Sequence, residues 1–195
     1  MPMLKLIPHL ILKIAGWKID YNMPTEMRKK CVLVAAPHTS NWDFVYAMCT
    51  FKILKIKVRF TIKKEWVRFP FKLLMTSLGA VGIDRNPAPG KKEKKSMVEA
   101  MVDLFKEHKE LVVVVTAEGT RKKVEKWKTG FYHVALNAKV PIALGYLDYK
   151  KKIAGVGKVI MPSGDMAADM KKIMDFYKNF TPKFPEKFSL DLQYV

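Results

Sequence analysis

Two apolar runs, at 31–36 and 111–115, place the strongest limit on how this chain can fold. Their sequences, Cys-Val-Leu-Val-Ala-Ala and Leu-Val-Val-Val-Val, contain no charged or strongly polar side chain. Strands of this kind are covered on both faces, which is typical of the centre of a parallel sheet. Predicted helices and further strands alternate along the rest of the chain. We therefore expect an α/β fold with a mostly parallel central sheet and helices on both faces.

The other elements are predicted from hydrophobic periodicity, capping residues and glycine or proline breaks. Helices are expected at 42–54, 65–77, 96–108, 128–138 and 165–179, and further strands at 57–63, 80–85, 140–148 and 153–160. A chain of 195 residues is long enough for one domain with a substantial core. We expect that core at 31–160, followed by a C-terminal helix and tail at 161–195.

The N-terminal stretch has the pattern of a helix that lies in a membrane interface. Residues 3–19 are mostly apolar, but Lys5, His9 and Lys13 recur every four residues and Trp17 lies near the end. A polar stripe on an apolar helix suits the boundary between headgroups and acyl chains. The stretch is too short and too interrupted to span a bilayer. A helix docked on the protein's own core is the alternative, and a signal peptide is disfavoured because no small-x-small cleavage site follows. We expect residues 1–25 to form this amphipathic helix and a linker.

Basic residues outnumber acidic ones throughout the chain. Lys and Arg number 36 against 18 Asp and Glu, which gives a net charge of +18. This excess predicts an anionic partner: nucleic acid, an acidic membrane face, a phosphorylated substrate or an acidic carrier protein. Nucleic acid is disfavoured because the sequence has no RNA-binding aromatic signature, zinc-finger spacing or basic-region heptad. Cys31 and Cys49 have no Cys-x-x-Cys spacing and are expected to be reduced thiols of a cytosolic protein.

The segment after the first apolar run places a histidine and a carboxylate five residues apart. His38 follows the predicted strand, and Asp43 lies in the first turn of the predicted helix. A carboxylate can fix the tautomer of an imidazole and stabilise its protonated form, so the pair could act as a general base. Ser40 and Asp43 also fit a capping box, which is a structural role. The two roles are compatible if His38 lies before the first helical turn, since five residues within a helix separate side chains by about 140°.

Two further predicted strands end in polar residues, Asp84 and Arg85 at one, and Glu118, Thr120 and Arg121 at the other. The carboxyl ends of parallel strands lie on one edge of a sheet, so these residues could share a crevice with His38. The planar fork of arginine suits phosphate, Glu118 could hold an arginine in place, and Gly119 would let the backbone approach a ligand closely. Ordinary ion pairing at the surface is the alternative.

With these residues, the chain resembles a known family, the glycerolipid acyltransferases, which include lysophosphatidic acid acyltransferase and glycerol-3-phosphate acyltransferase. His38, Ser40 and Asp43 match the family's first block, His-x-Ser-x-x-Asp. Residues 118–121 match its third block, Glu-Gly-Thr-Arg. Each block alone is a weak signal. Four blocks in the same order over residues 31–145 make the resemblance strong.

The other two blocks are similar in outline. Residues 79–85 resemble the glycine-led second block, residues 140–142 resemble the apolar fourth block, and the segment that begins at Lys63 resembles the one between the first two blocks. Gly82 stands where the family often has Phe, and Lys122 follows Arg121 where Ser is common. These departures bear on the acyl acceptor more than on the reaction.

The resemblance implies transfer of a fatty acyl group from acyl-CoA or acyl carrier protein to a hydroxyl of a lysophospholipid such as 1-acylglycerol-3-phosphate. His38 would be the general base, with Asp43 orienting its ring. The implied substrate-binding residues are Lys63, Arg85, Glu118, Gly119, Thr120 and Arg121. No metal or redox cofactor is implied, and the expected location is the cytoplasmic face of a membrane, as a peripheral protein. The alternatives are the same chemistry on another hydroxylated lipid, such as an amino-acid lipid, and a non-catalytic basic protein that coats anionic membrane.

Overall fold

The structure is a computed structural model, and it describes residues 3–25, 29–62, 79–82 and 95–195. The helices are α1 (Met3–Ile14), α2 (Asn41–Ile53), α3 (Met97–Glu107), α4 (Gly130–Ala138) and α5 (Met166–Tyr177). The strands are β1 (Lys18–Ile19), β2 (Lys30–Ala35), β3 (Val58–Ile62), β4 (Ala80–Gly82), β5 (Leu111–Val115), β6 (Ile142–Asp148) and β7 (Ile153–Ile160). Short 3₁₀ turns at Pro185–Lys187 and Leu192–Tyr194 lie in the C-terminal tail.

The described strands form a seven-stranded sheet in the order β1-β7-β6-β2-β5-β3-β4. Neighbouring strands are parallel, except for β6 and β7, which form an antiparallel pair. The two apolar runs become β2 and β5, which are direct neighbours at the centre of the sheet. The prediction of a mostly parallel sheet is therefore confirmed, and the two most apolar strands lie at its centre because both of their faces are covered.

Helices cover both faces of this sheet. Side chains of successive residues in a strand point to opposite faces, so Val32 and Val34 of β2 pack with α3, α4 and α5, while Cys31 and Leu33 pack on the side of α2. Both cysteines are free and buried. α1 packs against α2 through a smaller cluster that includes Leu12 and Trp17. The expected helices on both faces are confirmed.

The N-terminal stretch differs from the single helix expected through residue 19. α1 ends at Ile14, Gly16 adopts a positive φ of 74°, and Lys18 and Ile19 pair with β7 as a short parallel strand. Glycine tolerates this conformation at low cost, which explains why the helix stops here. Trp17 is buried against Tyr46 and Tyr149, so its ring belongs to the core of the protein.

α1 nevertheless keeps an exposed apolar face. Leu6, Ile7, Leu10 and Ile14 are exposed, and at 3.6 residues per turn they fall within a sector of about 100°. Leu12 and Pro8 are buried on the opposite side. The structure thus combines the docked helix and the exposed apolar face that the sequence left as alternatives. In the part of the chain that the structure describes, no helix is long and apolar enough to cross a membrane.

Several predicted features fall outside the described residues. These are the helix at 65–77, the end of the strand at 80–85, and the site residues Lys63, Asp84 and Arg85. The other predicted helices are present, with α3 capped by Ser96 and Glu99 in the expected capping box.

Candidate active site

The first and third sequence blocks meet because the strands that precede them are neighbours. Val34 of β2 lies opposite Val115 of β5 in a parallel register, so the segments that follow both strands leave the sheet at the same edge. The carboxylate oxygen Oε1 of Glu118 accepts a hydrogen bond from the backbone N–H of His38, at 3.1 Å. Two blocks that are 80 residues apart in the sequence are therefore joined by a direct bond.

Asp43 is buried and makes three hydrogen bonds with its two carboxylate oxygens. Oδ2 accepts from the backbone N–H groups of Thr39 and Ser40, both at 2.7 Å. Oδ1 accepts from the hydroxyl of Tyr149, at 2.5 Å. Ser40 caps α2, so the predicted capping box is present. Because His38 precedes the first turn of α2, the same carboxylate also faces its imidazole.

The His38 imidazole lies beside Asp43 without a direct hydrogen bond. Nδ1 of His38 is 3.7 Å from Oδ2 of Asp43, which is an electrostatic contact. The pKa of His38 is lowered below its ordinary value, mainly by burial, with a smaller lowering effect from Arg121 and an opposing effect from Asp43. The imidazole is therefore mostly neutral near pH 7 and can accept a proton. With Nδ1 turned toward the carboxylate, Nε2 is the nitrogen left for that proton.

The Glu118 side chain contacts the backbone of His38 and does not contact Arg121. Its second oxygen, Oε2, is buried without a hydrogen-bond partner among the described residues. Burial raises the pKa of Glu118 to about 7, and the charge of Asp43 adds to this effect. The prediction was that Glu118 holds Arg85 or Arg121. The structure shows no such contact with Arg121, because the carboxyl is turned into the protein, and Arg85 lies outside the described residues.

The rest of the third block forms a tight turn at the surface. Gly119 has a φ of 67°, and a Cβ built there would lie 2.6 Å from Nζ of Lys128. The hydroxyl of Thr120 accepts a bond from the backbone N–H of Lys122. Arg121 is exposed and lies close enough to His38 to lower its pKa. Glycine is favoured at 119 because of the positive φ, while the end of the Lys128 side chain, which crosses it, is flexible.

A cavity of about 610 Å³ opens beside His38 and Asp43. Its lining is mostly apolar and includes Phe44, Met48, Met97, Met101, Val115 and Phe131, while Thr116 and Lys128 add polar atoms. Phe44 and Met97 are also exposed, so they lie at the mouth of the cavity. An apolar cleft of this size with a few polar groups at one side has the form of a small-molecule or lipid site.

Sequence reasoning missed two residues of this region. Tyr149 reaches Asp43 from the turn between β6 and β7, 106 residues away, and nothing in the sequence near 149 indicates this contact. Lys128 lines the cavity and crosses Gly119. Its position at the start of the predicted helix 128–138 gave no sign of this role.

Comparison with known proteins gives the class of the chain. A family model for acyltransferases matches residues 18–143, more than half of the sequence. The chain therefore belongs to the acyltransferase family, whose members move an acyl group from a donor to an acceptor. No curated protein sequence matches the chain at a significant level.

The structural comparison agrees with this class. The crystal structure of the 1-acyl-sn-glycerophosphate (LPA) acyltransferase, PlsC, from Thermotoga maritima is similar at a TM-score of 0.50 and 12% sequence identity. The match covers 91% of this chain and 75% of that chain. At this identity the likeness shows a shared fold.

Proposed function

We propose that this acyltransferase moves a fatty acyl group from acyl-CoA or acyl carrier protein to the hydroxyl of a lysophospholipid such as 1-acylglycerol-3-phosphate. The observation that supports this most strongly is the largely neutral His38 imidazole beside the buried Asp43 carboxylate at the side of a large apolar cavity. A fatty acyl chain fits such a cavity, and a base at its side suits an attack on the acyl carbonyl.

In the proposed reaction, Nε2 of His38 accepts the proton of the acceptor hydroxyl while that oxygen attacks the thioester carbonyl carbon. The carbon–sulfur bond then breaks, and the leaving thiolate takes the proton from the imidazolium. Asp43 stabilises the imidazolium and orients the ring. Both substrates are held together in one site, so no acyl-enzyme is needed.

We assign Arg121 and Arg85 to the phosphate of the acceptor, on the resemblance of their sequence blocks, and Lys63 to substrate binding on the same ground. Gly119 and Thr120 would shape the turn that carries Arg121, and Glu118 would hold the backbone of His38. Guanidinium groups bind phosphate through charge-assisted, often bidentate hydrogen bonds. The exposed face of α1 and the positive net charge would keep the protein peripherally on the cytoplasmic face of a membrane, beside its lipid acceptor.

The test is thiol release from acyl-CoA in the presence of candidate acceptors, with the lipid products identified by mass. His38→Ala should keep the fold and lower transfer by about 10²–10⁴-fold, since positioned proton transfer typically contributes that much. His133→Ala is a matched control, because His133 is exposed on α4. Melting curves of both variants show whether the fold is kept.

Three results would each contradict a different part of the proposal. A folded His38→Ala enzyme with full activity would remove the catalytic role of His38. Absence of thiol release from either donor with all acceptors would remove the proposed function. Equal rates on lysophosphatidic acid and on a neutral or amino-acid lipid would remove the phosphate assignment, and the Gly82 departure would then be the first place to look for acceptor choice.

A further inference from the structure

We propose that Tyr149 is a positioning residue for the His38–Asp43 pair, holding the carboxylate in the orientation in which it faces the imidazole. Tyr149 lies in the turn between β6 and β7, outside the residues that the family model matches. The inference rests on the proposed function of His38 and Asp43, and it adds a residue that the sequence blocks do not contain.

The contacts of Asp43 show what Tyr149 contributes. Oδ2 is held by two backbone N–H groups of its own loop, and it is also the oxygen that lies 3.7 Å from Nδ1 of His38. Oδ1 has one described partner, the Tyr149 hydroxyl. A carboxylate can rotate about its terminal torsion, which is broad in side chains of this type. The bond to Oδ1 therefore adds a second anchor, which limits rotation of the carboxylate while the backbone bonds hold Oδ2 beside the imidazole.

Tyr149 is itself held firmly. Its backbone N–H donates to the carbonyl oxygen of Thr181 at 2.8 Å. Its ring makes an edge contact with Trp17, with 4.9 Å between ring centroids, and lies 6.2 Å from Tyr46. Trp17 is buried, and its ring also packs against Tyr46 at 5.0 Å. The hydroxyl is thus presented to Asp43 by a packed aromatic cluster that includes Trp17, at the end of the N-terminal segment.

The charged groups around His38 and Asp43 determine how loss of the Tyr149 hydroxyl should change the pKa of His38. Asp43 is faced by His38, by Tyr149 and, at longer range, by Glu118, and Arg121 acts on His38 from the third block. The O–H dipole directs its positive end at the carboxylate, so it offsets part of the negative potential that the imidazole feels. The backbone bonds from Thr39 and Ser40 still hold Oδ2 beside His38 when the hydroxyl is removed. The potential at His38 therefore becomes more negative, and its pKa should rise.

Tyr149→Phe is the matched test, because it keeps the ring that packs on Trp17 and removes only the hydroxyl. Tyr46→Phe is the control: it removes a hydroxyl from the same aromatic cluster, and this hydroxyl makes no hydrogen bond within the described part of the chain. We expect Tyr149→Phe to lower kcat about tenfold, the lower end of what a hydrogen bond to a charged group contributes. The acidic limb of its pH–rate profile should move to higher pH. Tyr46→Phe should change neither.

The same shift can be measured without substrate. Titration of the His38 ring signals by NMR, assigned with His38→Gln, should give a higher pKa in Tyr149→Phe than in the wild-type protein and in Tyr46→Phe. A folded Tyr149→Phe protein with wild-type kcat and a wild-type His38 titration would overturn the inference, and so would equal effects in the two phenylalanine variants. If the NMR shift is present but the wild-type protein transfers no acyl group, the positioning is correct and the proposed function fails.

Discussion

At the scale of single residues, Glu118 makes stability depend on pH in a direction opposite to that of most acidic side chains. Its pKa is raised from an ordinary value of 4.5 to about 7, mainly by burial. Between these values the folded protein keeps a proton that the unfolded chain has lost. The contribution to stability is therefore complete below about pH 4.5 and is lost as the pH rises through about 7, on the order of 3 kcal/mol in total.

Glu118→Gln removes this titration and can still accept the bond from the His38 backbone. We expect the free energy of unfolding of the variant, relative to wild type, to rise by on the order of 3 kcal/mol between about pH 4 and about pH 8. Urea unfolding at several pH values measures this difference. The exposed Glu125, changed to Gln, is the control on the same loop, because it removes a carboxyl that is not buried.

His38 changes the free energy of unfolding with pH in the opposite direction. Its pKa is lowered in the folded state, so its contribution to the free energy of unfolding grows as the pH rises. The wild-type protein and the Glu118→Gln variant both keep this contribution of His38, so it cancels when their free energies of unfolding are compared. A Glu118→Gln difference that does not change with pH would show that the carboxyl of Glu118 is already ionised in the folded protein at neutral pH.

At the scale of elements, α1 has two faces that can be tested separately. Leu6 and Leu10 are 63% and 57% exposed, whereas Leu12 is 2% exposed. Changing Leu6 and Leu10 together to Glu should weaken vesicle binding by at least about tenfold, because fully burying one such side chain contributes about 1.5–3 kcal/mol. The free energy of unfolding should stay within about 0.5 kcal/mol, as is usual for exposed positions.

Leu12→Ala is the matched control on the same helix. It should lower the free energy of unfolding by about 2–5 kcal/mol, as buried Leu→Ala changes do. Vesicle sedimentation and thermal melting of the two variants separate membrane contact from docking. Unchanged vesicle binding in the Leu6 and Leu10 variant would show that this face does not meet the membrane.

Most elements could be predicted because their signals are local. The two apolar runs identified the central strands, and Ser96 with Glu99 identified the start of α3. The short strand β1 and the antiparallel pairing of β7 could not be predicted, since strand direction and pairing depend on contacts between distant parts of the chain. The N-terminal stretch was predicted as one helix because its apolar pattern continues past Gly16, where the backbone turns.

At the scale of the whole molecule, part of the site could be predicted and part could not. The meeting of His38 with Glu118 follows from the rule that parallel strands deliver their ends to one edge. The hydroxyl of Tyr149 and the amine of Lys128 come from turns whose positions are set only by tertiary packing. The bond from the His38 backbone to Glu118 could not be predicted, because sequence shows charge but does not show which way a carboxyl turns.

The net charge of +18 belongs to the whole molecule, and it should control where the enzyme works more than how fast its chemistry is. Each Lys or Arg near an anionic surface contributes about 1 kcal/mol, and raising salt from about 0.1 M to about 1 M shortens the Debye length from about 10 Å to about 3 Å. Attraction to an anionic membrane would therefore be strongly screened at high salt, while an apolar contact of α1 with that membrane would not be.

We expect salt to inhibit transfer to an acceptor embedded in vesicles that contain anionic lipid, while some activity remains because the α1 face still binds. Transfer to a short-chain acceptor dissolved as monomers should change far less, since its chemistry takes place inside the same site without a membrane. Vesicles made only of zwitterionic lipid are the control, and on them the rate should depend little on salt. Equal inhibition with vesicle-bound and monomeric acceptors would mean that salt acts on the site itself, through groups such as Arg121, and that the positive charge does not recruit the protein to membranes.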